Sequence, residues 1–136
     1  MEEKELVEMV KSNFGKGDYF FTFSYPEKDK ERKLEATIRD VERFIERQEE
    51  WLENNEKNNL KCIATIKESP KKHIHVFTNF PDRDLLERLW DKKGRAMTGR
   101  ILTDEQLEEV TRYMHRKGHK KILLSPGIEP NDSKQN

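Results

Sequence analysis

Two β-rich stretches joined by a very short connection limit the fold of this chain more than any other feature. The stretch LKCIATIKES covers residues 60–69, and KKHIHVFTNF covers residues 71–80. Both contain several β-branched residues, the second also contains two phenylalanines, and the turn between them is centred on Pro70 and Lys71. Strands joined so closely pair antiparallel, because a parallel crossover needs a dozen or more residues. An antiparallel hairpin is therefore predicted in the middle of the chain.

Other elements are predicted on both sides of this hairpin. Before it come a short amphipathic helix at residues 2–12, the aromatic strand DYFFTFSY, and a long helix from Asp29 to about Asn54. After it come a short helix capped by Asp82, a weaker strand signal at GRAMTGRIL, a helix that begins with the capping box Thr103–Gln106 and stops at Gly118, and an edge strand at KKILLS.

This order of elements predicts an α+β fold. We expect a central antiparallel sheet of about five strands, ferredoxin-like or RRM-like, covered by helices. Residues 1–125 are assigned to this domain, and residues 126–136 to a polar, flexible tail.

The composition excludes several classes of protein. Of the 136 residues, 32% are apolar and 40% are charged, so one compact core beneath an ionic surface is expected. The formal net charge is zero, which argues against a uniformly basic nucleic-acid binder and leaves a local basic patch open. Cys62 is the one cysteine of the sequence, and no apolar run reaches the length of a membrane span. We therefore expect a cytoplasmic protein that does not associate with membranes.

The two histidines of HIHVF raise the question of a metal site. Successive side chains of a strand alternate between its two faces, so His73, His75 and Phe77 share one face. Histidine is the commonest metal ligand, and two imidazoles about 7 Å apart along a strand can converge on one ion. Histidines also occur on the half-exposed surface of a sheet. The motif alone leaves both interpretations open.

A third ligand is predicted on the other strand of the hairpin. With the turn centred on Pro70 and Lys71, Glu68 lies directly opposite His73. Opposed residues project to the same face about 5 Å apart. Glu68, His73 and His75 would then form a mixed nitrogen and oxygen ligand set that suits Mg²⁺ or Mn²⁺ and leaves positions for water or substrate. The alternative is an exposed Glu68 that balances the neighbouring lysines.

The last predicted helix carries a tyrosine among cations. Tyr113 lies beside the apolar stripe of EEVTRYMHRKGHKK, and the same segment holds the basic residues Arg112, Arg116, Lys117, Lys120 and Lys121. Positive charge favours the phenolate and neutralises a phosphate diester, so Tyr113 is a candidate nucleophile toward phosphate. The alternative is a tyrosine at the edge of the core on a solvated basic helix.

Three segments follow one another along the chain: first the aromatic strand YFFTFSY, then the histidine motif HIHVF, and last the tyrosine motif YMHRK. This order resembles the single-strand nicking nucleases called HUH endonucleases, and more closely the catalytic domain of rolling-circle replication initiators, the Rep proteins. LLERLWDKKG is similar to the family's Leu–Trp–Gly segment, and KKILLSPGIEP is similar to the segment after the nucleophile in plasmid initiators. The likeness covers roughly residues 18–130.

The resemblance implies a site-specific, metal-dependent DNA endonuclease and strand transferase. His73, His75 and Glu68 would hold Mg²⁺ or Mn²⁺, and Tyr113 would form a 5′-phosphotyrosine link to DNA. In the family a lysine follows the tyrosine by three residues. This chain has Arg116 there and Lys117 next, so which cation contacts the phosphate stays open. The residues expected to contact the DNA backbone are Lys71, Lys72, Arg112, Lys120 and Lys121.

The same resemblance implies the partners. The substrate would be single-stranded or hairpin origin DNA in a prokaryotic cell or in the host cell of a virus or plasmid. Because the chain ends soon after the nuclease segment, a host helicase and a host polymerase are expected to act with it. A homodimer is compatible with the sequence.

Two other functions stay open at this point. A small tyrosine (Y1) transposase also carries its tyrosine near the C-terminus, but it takes a metal ligand from a glutamine four residues later, where this chain has Lys117. A non-catalytic binding module of RRM-like fold would instead stack single-stranded bases on exposed aromatic residues such as Phe21 and Phe23.

Overall fold

A computed structural model of the chain describes residues 1–29, 31–57, 59–68, 71–92, 94, 96–101, 103–116 and 118–130, without the side chains of residues 96–98. Four helices pack on a five-stranded antiparallel sheet in these ranges, which confirms the predicted α+β class. The elements are α1 (Glu3–Asn13), β1 (Tyr19–Ser24), α2 (Leu34–Asn54), β2 (Cys62–Lys67), β3 (His73–Thr78), α3 (Arg83–Leu89), β4 (Ala96–Arg100), α4 (Asp104–Arg116) and β5 (Lys121–Leu124).

The sheet has the strand order β4-β1-β3-β2-β5, so the histidine-bearing strand β3 lies at its centre. One face packs on α2 and α3 through a core that includes Ile74 and Val76 of β3 together with Phe44 and Leu86. The other face packs on α1 and α4 through a second core that includes Phe77. Since side chains alternate along β3, His73 and His75 share the face of Phe77.

The capping and stop residues predicted from the sequence lie at the ends of α3 and α4 in the structure. Thr103 and Gln106 form the predicted capping box, in which each backbone N–H donates to the other residue's side-chain oxygen at 3.0 and 3.1 Å. Asp82 caps α3 by accepting from the N–H of Leu85 at 3.0 Å. Gly118 follows α4 with a φ of 84°, a conformation that glycine adopts without steric cost.

Two expectations were wrong. Helix α2 begins at Leu34 rather than at Asp29, because Glu27–Asp29 form a separate 3₁₀ turn and Lys33 is extended. Phe21 and Phe23 are fully buried beneath α2 and α3 rather than exposed. The base-stacking surface expected of a non-catalytic RRM-like module is therefore not formed by these two rings.

Part of the predicted tail packs against the fold. Asn13 of α1 accepts from the backbone N–H of Glu129 at 2.8 Å and donates from its amide to the carbonyl of the same residue at 3.1 Å. Ile128 packs on the core beneath α1 and α4. Residues 131–136 lie outside the described ranges.

In the part of the chain that the structure describes, none of the helices has the length and apolar character needed to cross a membrane.

A buried ionic network fixes the segment between β1 and α2. Asp40 of α2, with its side chain only 7% exposed, accepts from the hydroxyl of Tyr25 at 2.6 Å and from the Nε of Arg32 at 2.7 Å. Lys92 lies 3.4 Å away. Although burial acts to raise it, the pKa of Asp40 falls below its usual value because Arg32 and Tyr25 donate to its carboxylate.

Loss of this charge should destabilise the fold. In Asp40→Asn we expect the free energy of unfolding to fall by about 3 kcal/mol, since breaking a buried ion pair leaves the partner cations uncompensated. Urea denaturation measures this change. Asp84→Asn, at an exposed position of α3, is the matched control and should change stability by less than about 0.5 kcal/mol. Equal losses in the two variants would contradict the structural role of the network.

Candidate functional site

The two histidines of β3 lie at the end of the sheet where that strand begins. His75 pairs with Thr22 of β1 and with Thr65 of β2, while His73 pairs with Ser24 and Lys67. The two imidazole rings are 6.2 Å apart between centroids and inclined by 26°. The two rings are therefore neighbours on one face, as the histidine motif predicts, and their binding of one ion stays a prediction.

His75 is held firmly by its neighbours. Its side chain is 9% exposed, its Nδ1 lies 3.1 Å from the hydroxyl oxygen of Thr22, and the ring of Phe20 stacks on it at 5.9 Å. If Nδ1 carries the proton and donates to Thr22, the lone pair of Nε2 is available to a metal ion. His73 is more exposed and is hydrogen-bonded to the backbone of Lys71.

Both imidazoles are neutral near pH 7. Burial lowers the pKa of His75 to about 4, with further lowering from the charges of His73 and Lys67. Burial, followed by the charge of Lys67, also lowers the pKa of His73 below its ordinary value. Since a metal ion binds only the neutral form of histidine, this environment prepares both rings for coordination.

The depressed pKa of His75 has a consequence for stability. The unfolded chain binds a proton at this histidine near pH 6.5, whereas the folded chain resists protonation until about pH 4. Stability should therefore fall as the pH drops through this range. Between pH 7 and pH 4.5, the free energy of unfolding of the wild type should fall by about 2 kcal/mol more than that of His75→Gln. Urea denaturation at the two pH values measures this difference, and parallel profiles would contradict the burial of a neutral His75.

The predicted position of Glu68 is wrong because the hairpin register differs by one residue. Lys67, not Glu68, lies opposite His73. The connection between β2 and β3 runs from residue 68 to residue 72, longer than a two-residue turn. A shift of one residue moves a side chain to the other face of a sheet. Glu68 follows the face of Ile66 and forms an ion pair with Lys72 at 3.3 Å, so it is not beside the histidines.

A cation therefore takes the place where a carboxylate was expected. Lys67 is the last residue of β2, and cross-strand partners project to the same face, so it shares the face of His73 and His75. Among the described residues, no carboxylate forms an ion pair with Lys67, and no group of three or more His, Cys, Asp and Glu side chains comes together to hold a metal.

A buried threonine beside His75 offers a further oxygen. Thr65 lies opposite His75 in β2, is fully buried, and its Oγ1 has no hydrogen-bond partner among the described residues. An unsatisfied buried hydroxyl is costly unless a water or ligand bonds to it. Two neutral imidazoles beside such an oxygen fit a divalent ion that retains water molecules. Nitrogen donors suit Mn²⁺ better than Mg²⁺, which prefers oxygen ligands.

Tyr113 lies on α4, on the side that is turned away from α1. Ion pairs and hydrogen bonds join four α4 residues to α1 or to Met1 just before it: Glu108, Arg112, His115 and Arg116. Successive helix residues are about 100° apart around the axis, which directs Tyr113 away from that side. Its side chain is 58% exposed.

The C-terminal end of α4 lies at the histidine end of the sheet. A few residues after this helix, the backbone N–H of Lys120 donates to the carbonyl of Ile66 at 2.7 Å, and Lys121 pairs with Ile66 in the sheet. The next residue of β2 is Lys67, opposite His73. The helix that carries Tyr113 thus ends toward the same end of the sheet at which the histidine-bearing strand begins.

The cations predicted around Tyr113 are not equivalent. Arg112 forms ion pairs with Glu108 at 2.7 Å and with Glu3 at 3.3 Å, and its role as a DNA contact stays a prediction. Arg116 is 70% exposed and its guanidinium lies 3.7 Å from Glu3. Its side chain therefore extends toward α1, away from the side of Tyr113. Lys117 lies outside the described residues, and its role stays a prediction.

The remaining predicted DNA contacts also divide into two groups. Lys71 and Lys120 are exposed near the histidine end of the sheet, where they can reach a DNA backbone, whereas the exposed Lys121 pairs with Ile66 and projects to the opposite face. Lys72 is different: its side chain is 6% exposed, and its ammonium group donates to the carbonyl of Arg32 and to Glu68. Lys72 is therefore a structural residue, because these two contacts hold the hairpin connection against the segment that precedes α2.

Sequence reasoning missed three neighbours of the histidines: Thr22, Thr65 and Lys67. The alternation of side chains along β2 and β3 was available, but it identifies neighbours only with the correct register. In the sequence, Lys67 is one of three lysines close to the predicted turn, and nothing distinguishes it from Lys71 and Lys72.

No protein-family model, no curated protein and no solved structure matches the chain.

Proposed function

We propose that this chain nicks and rejoins single-stranded DNA, with Tyr113 as the nucleophile and with His73 and His75 as ligands of a divalent metal ion. The observation that carries the proposal is a pair of neutral imidazoles on one face of the central strand, at the end of the sheet where a helix with an exposed tyrosine terminates. A nucleophile and a group that activates phosphate are the two requirements of this chemistry.

The order of the elements supports the same class of nuclease. The segment β1-α2-β2-β3-α3-β4 follows the ferredoxin-like pattern, and its strands have the order β4-β1-β3-β2. We infer that the chain has the fold of an HUH endonuclease, in which β5 extends this sheet at the β2 edge and α4 carries the nucleophile. The histidine motif then occupies the central strand, where neighbouring strands on both sides fix its side chains.

The protein residues have distinct tasks in the reaction. The phenolic oxygen of Tyr113 attacks the scissile phosphorus in line with the 3′-oxygen. The bond from phosphorus to that oxygen breaks, a 5′-phosphotyrosine link forms, and the proton lost by the phenol is balanced by the proton gained by the new 3′-hydroxyl. Because the link retains the phosphodiester energy, the reverse attack by a 3′-hydroxyl rejoins DNA without ATP.

The histidines supply the metal chemistry. A Mn²⁺ ion held by His73 and His75 would polarise the phosphate and neutralise charge that develops on it. Thr22 orients the ring of His75 through its hydroxyl, and the stacked ring of Phe20 limits its movement. Such support holds a ligand in one orientation before the ion binds.

The substrate that fits this chemistry is single-stranded origin DNA. The exposed lysines Lys71 and Lys120 lie near the histidine end and provide local positive charge on a chain of zero net charge. A free 3′-hydroxyl left by nicking primes synthesis, so a host polymerase and a helicase are the partners we propose for replication initiation.

End-labelled DNA tests the proposal. The protein is incubated with Mn²⁺ and a pool of single-stranded oligonucleotides of random sequence, labelled at either the 3′ or the 5′ end. We expect a protein adduct that survives detergent and carries the 3′ label, while the 5′ label remains on a shortened free strand. An adduct that carries the 5′ label, or the absence of any adduct, would contradict the proposed polarity and chemistry.

A further inference from the structure

Lys67 places an ammonium group beside the two histidines. It lies opposite His73 in the register of β2 and β3, two residues beyond Thr65, which faces His75. Its side chain is partly exposed, and none of the carboxylates that the structure describes forms an ion pair with it. A cation without an acidic partner is therefore directed to the face on which the metal ion would bind.

Two other cations near this end of the molecule, unlike Lys67, form ion pairs with carboxylates that the structure describes. Lys72 is bound to Glu68 and to the carbonyl of Arg32, and Arg112 is bound to Glu108 and Glu3. These pairs satisfy their charges within the protein. Among the described residues Lys67 has no comparable partner, so its charge is available to an external anion.

The sign of the local charge has a direct effect on metal binding. Two neutral imidazoles and one carboxylate would attract a divalent cation, whereas an ammonium group in place of the carboxylate opposes its binding. A DNA phosphate bound at Lys67 would offset this repulsion and would offer an oxygen ligand to an ion held by the two histidines. The metal and the phosphate therefore favour each other's binding.

We propose that Lys67 couples the two ligands, so that the free protein binds Mn²⁺ weakly and binds it tightly once a DNA phosphate contacts Lys67. This inference rests on the proposed function, since it requires the histidine pair to hold the ion beside DNA. Linkage makes the coupling reciprocal: DNA raises the affinity for Mn²⁺ by the same factor by which Mn²⁺ raises the affinity for DNA. Such a site would leave the nuclease without its metal until substrate is present.

The coupling is measured by binding rather than by cleavage. Tyr113→Phe provides a background without the nucleophile, and the paramagnetic resonance of free Mn²⁺ reports how much metal is bound. A twelve-residue oligothymidylate is the DNA probe. We expect the oligonucleotide to raise the Mn²⁺ affinity by about tenfold or more, a typical size for coupling between two sites.

Substitutions of Lys67 assign the coupling to this residue. In Lys67→Met, the affinity for Mn²⁺ without DNA should rise, and the gain from DNA should shrink to less than about threefold. Lys67→Arg keeps the charge and should retain most of the gain. Lys61→Met, just before the other end of β2, is the matched control and should behave as the background protein does.

The results separate this inference from the proposed function. If Lys67→Met changes neither the affinity for Mn²⁺ nor the gain from DNA, the coupling role is wrong even if nicking occurs. If no Mn²⁺ binding depends on His73 and His75, both proposals fail. If the coupling is present and the wild-type protein forms no adduct with DNA, the inference stands and the proposed nicking activity is wrong.

Discussion

Replacement of Tyr113 by phenylalanine should reduce covalent capture of single-stranded DNA by at least about a thousandfold, because the variant lacks the attacking oxygen. The sequence contains three tyrosines, and the other two are poorly suited to the role. Tyr25 donates its hydroxyl to Asp40, and burial together with this bond raises its pKa. Tyr19 pairs with Thr78, at the end of β3 that is distant from His73.

The fold should be unaffected by this change. The side chain of Tyr113 is 58% exposed, so removal of one hydroxyl leaves the core beneath α4 intact. Tyr19→Phe is the matched control, because it removes the same group from the other end of the sheet, and it should retain wild-type adduct formation. A Tyr113→Phe protein that forms the adduct at the wild-type rate would show that another residue attacks the phosphate.

Loss of the histidine pair should have the second largest effect. In the double variant His73→Ala and His75→Gln, we expect adduct formation in Mn²⁺ to fall by about a hundredfold or more, because the ion that activates the phosphate is no longer held. Titration of activity against Mn²⁺ concentration measures the loss. Direct Mn²⁺ binding should be lost in parallel.

Two comparisons separate metal binding from folding in this experiment. His73→Ala alone changes a partly exposed residue and should lose most of the activity without a large change in urea stability. His115→Ala is the control histidine, since His115 lies on the α1 side of α4 and contacts the carbonyl of Met1. Unchanged metal dependence in the double variant would contradict the assignment of His73 and His75 as ligands.

Elements with local signals were predictable from the sequence. The hairpin, the capping box at Thr103 and the glycine stop at Gly118 each depend on residues that are close in the chain. Alternation along β3 likewise placed His73 and His75 on one face before any partner was known. These parts of the site follow from short-range geometry.

The register of the hairpin was not predictable in the same way. The connection after Lys67 is held by Lys72, whose ammonium group reaches the carbonyl of Arg32, a residue distant in sequence. With Lys67 opposite His73, Glu68 lies on the other face and forms an ion pair with Lys72. A register that differs by one residue therefore removes the carboxylate from the predicted ligand set.

Ion pairs between residues that are distant in the sequence could not be predicted from the sequence either. Arg112 and Arg116 look like part of one basic patch in the sequence, yet both lie near Glu3 of α1. Helix packing decides which of the described cations face an acidic neighbour and which, like Lys67, do not. The same packing covers both faces of the sheet and buries Phe21 and Phe23.

Identification of the residue that carries the DNA tests the central claim most directly. The adduct formed with a 3′-labelled oligonucleotide is digested with nuclease and trypsin, and the modified peptide is sequenced by mass spectrometry. Cleavage after Arg112 and Arg116 releases the peptide YMHR. We predict a nucleotide joined through its 5′-phosphate to Tyr113 in this peptide, and a nucleotide on Tyr19, Tyr25 or any other residue would contradict the proposed site.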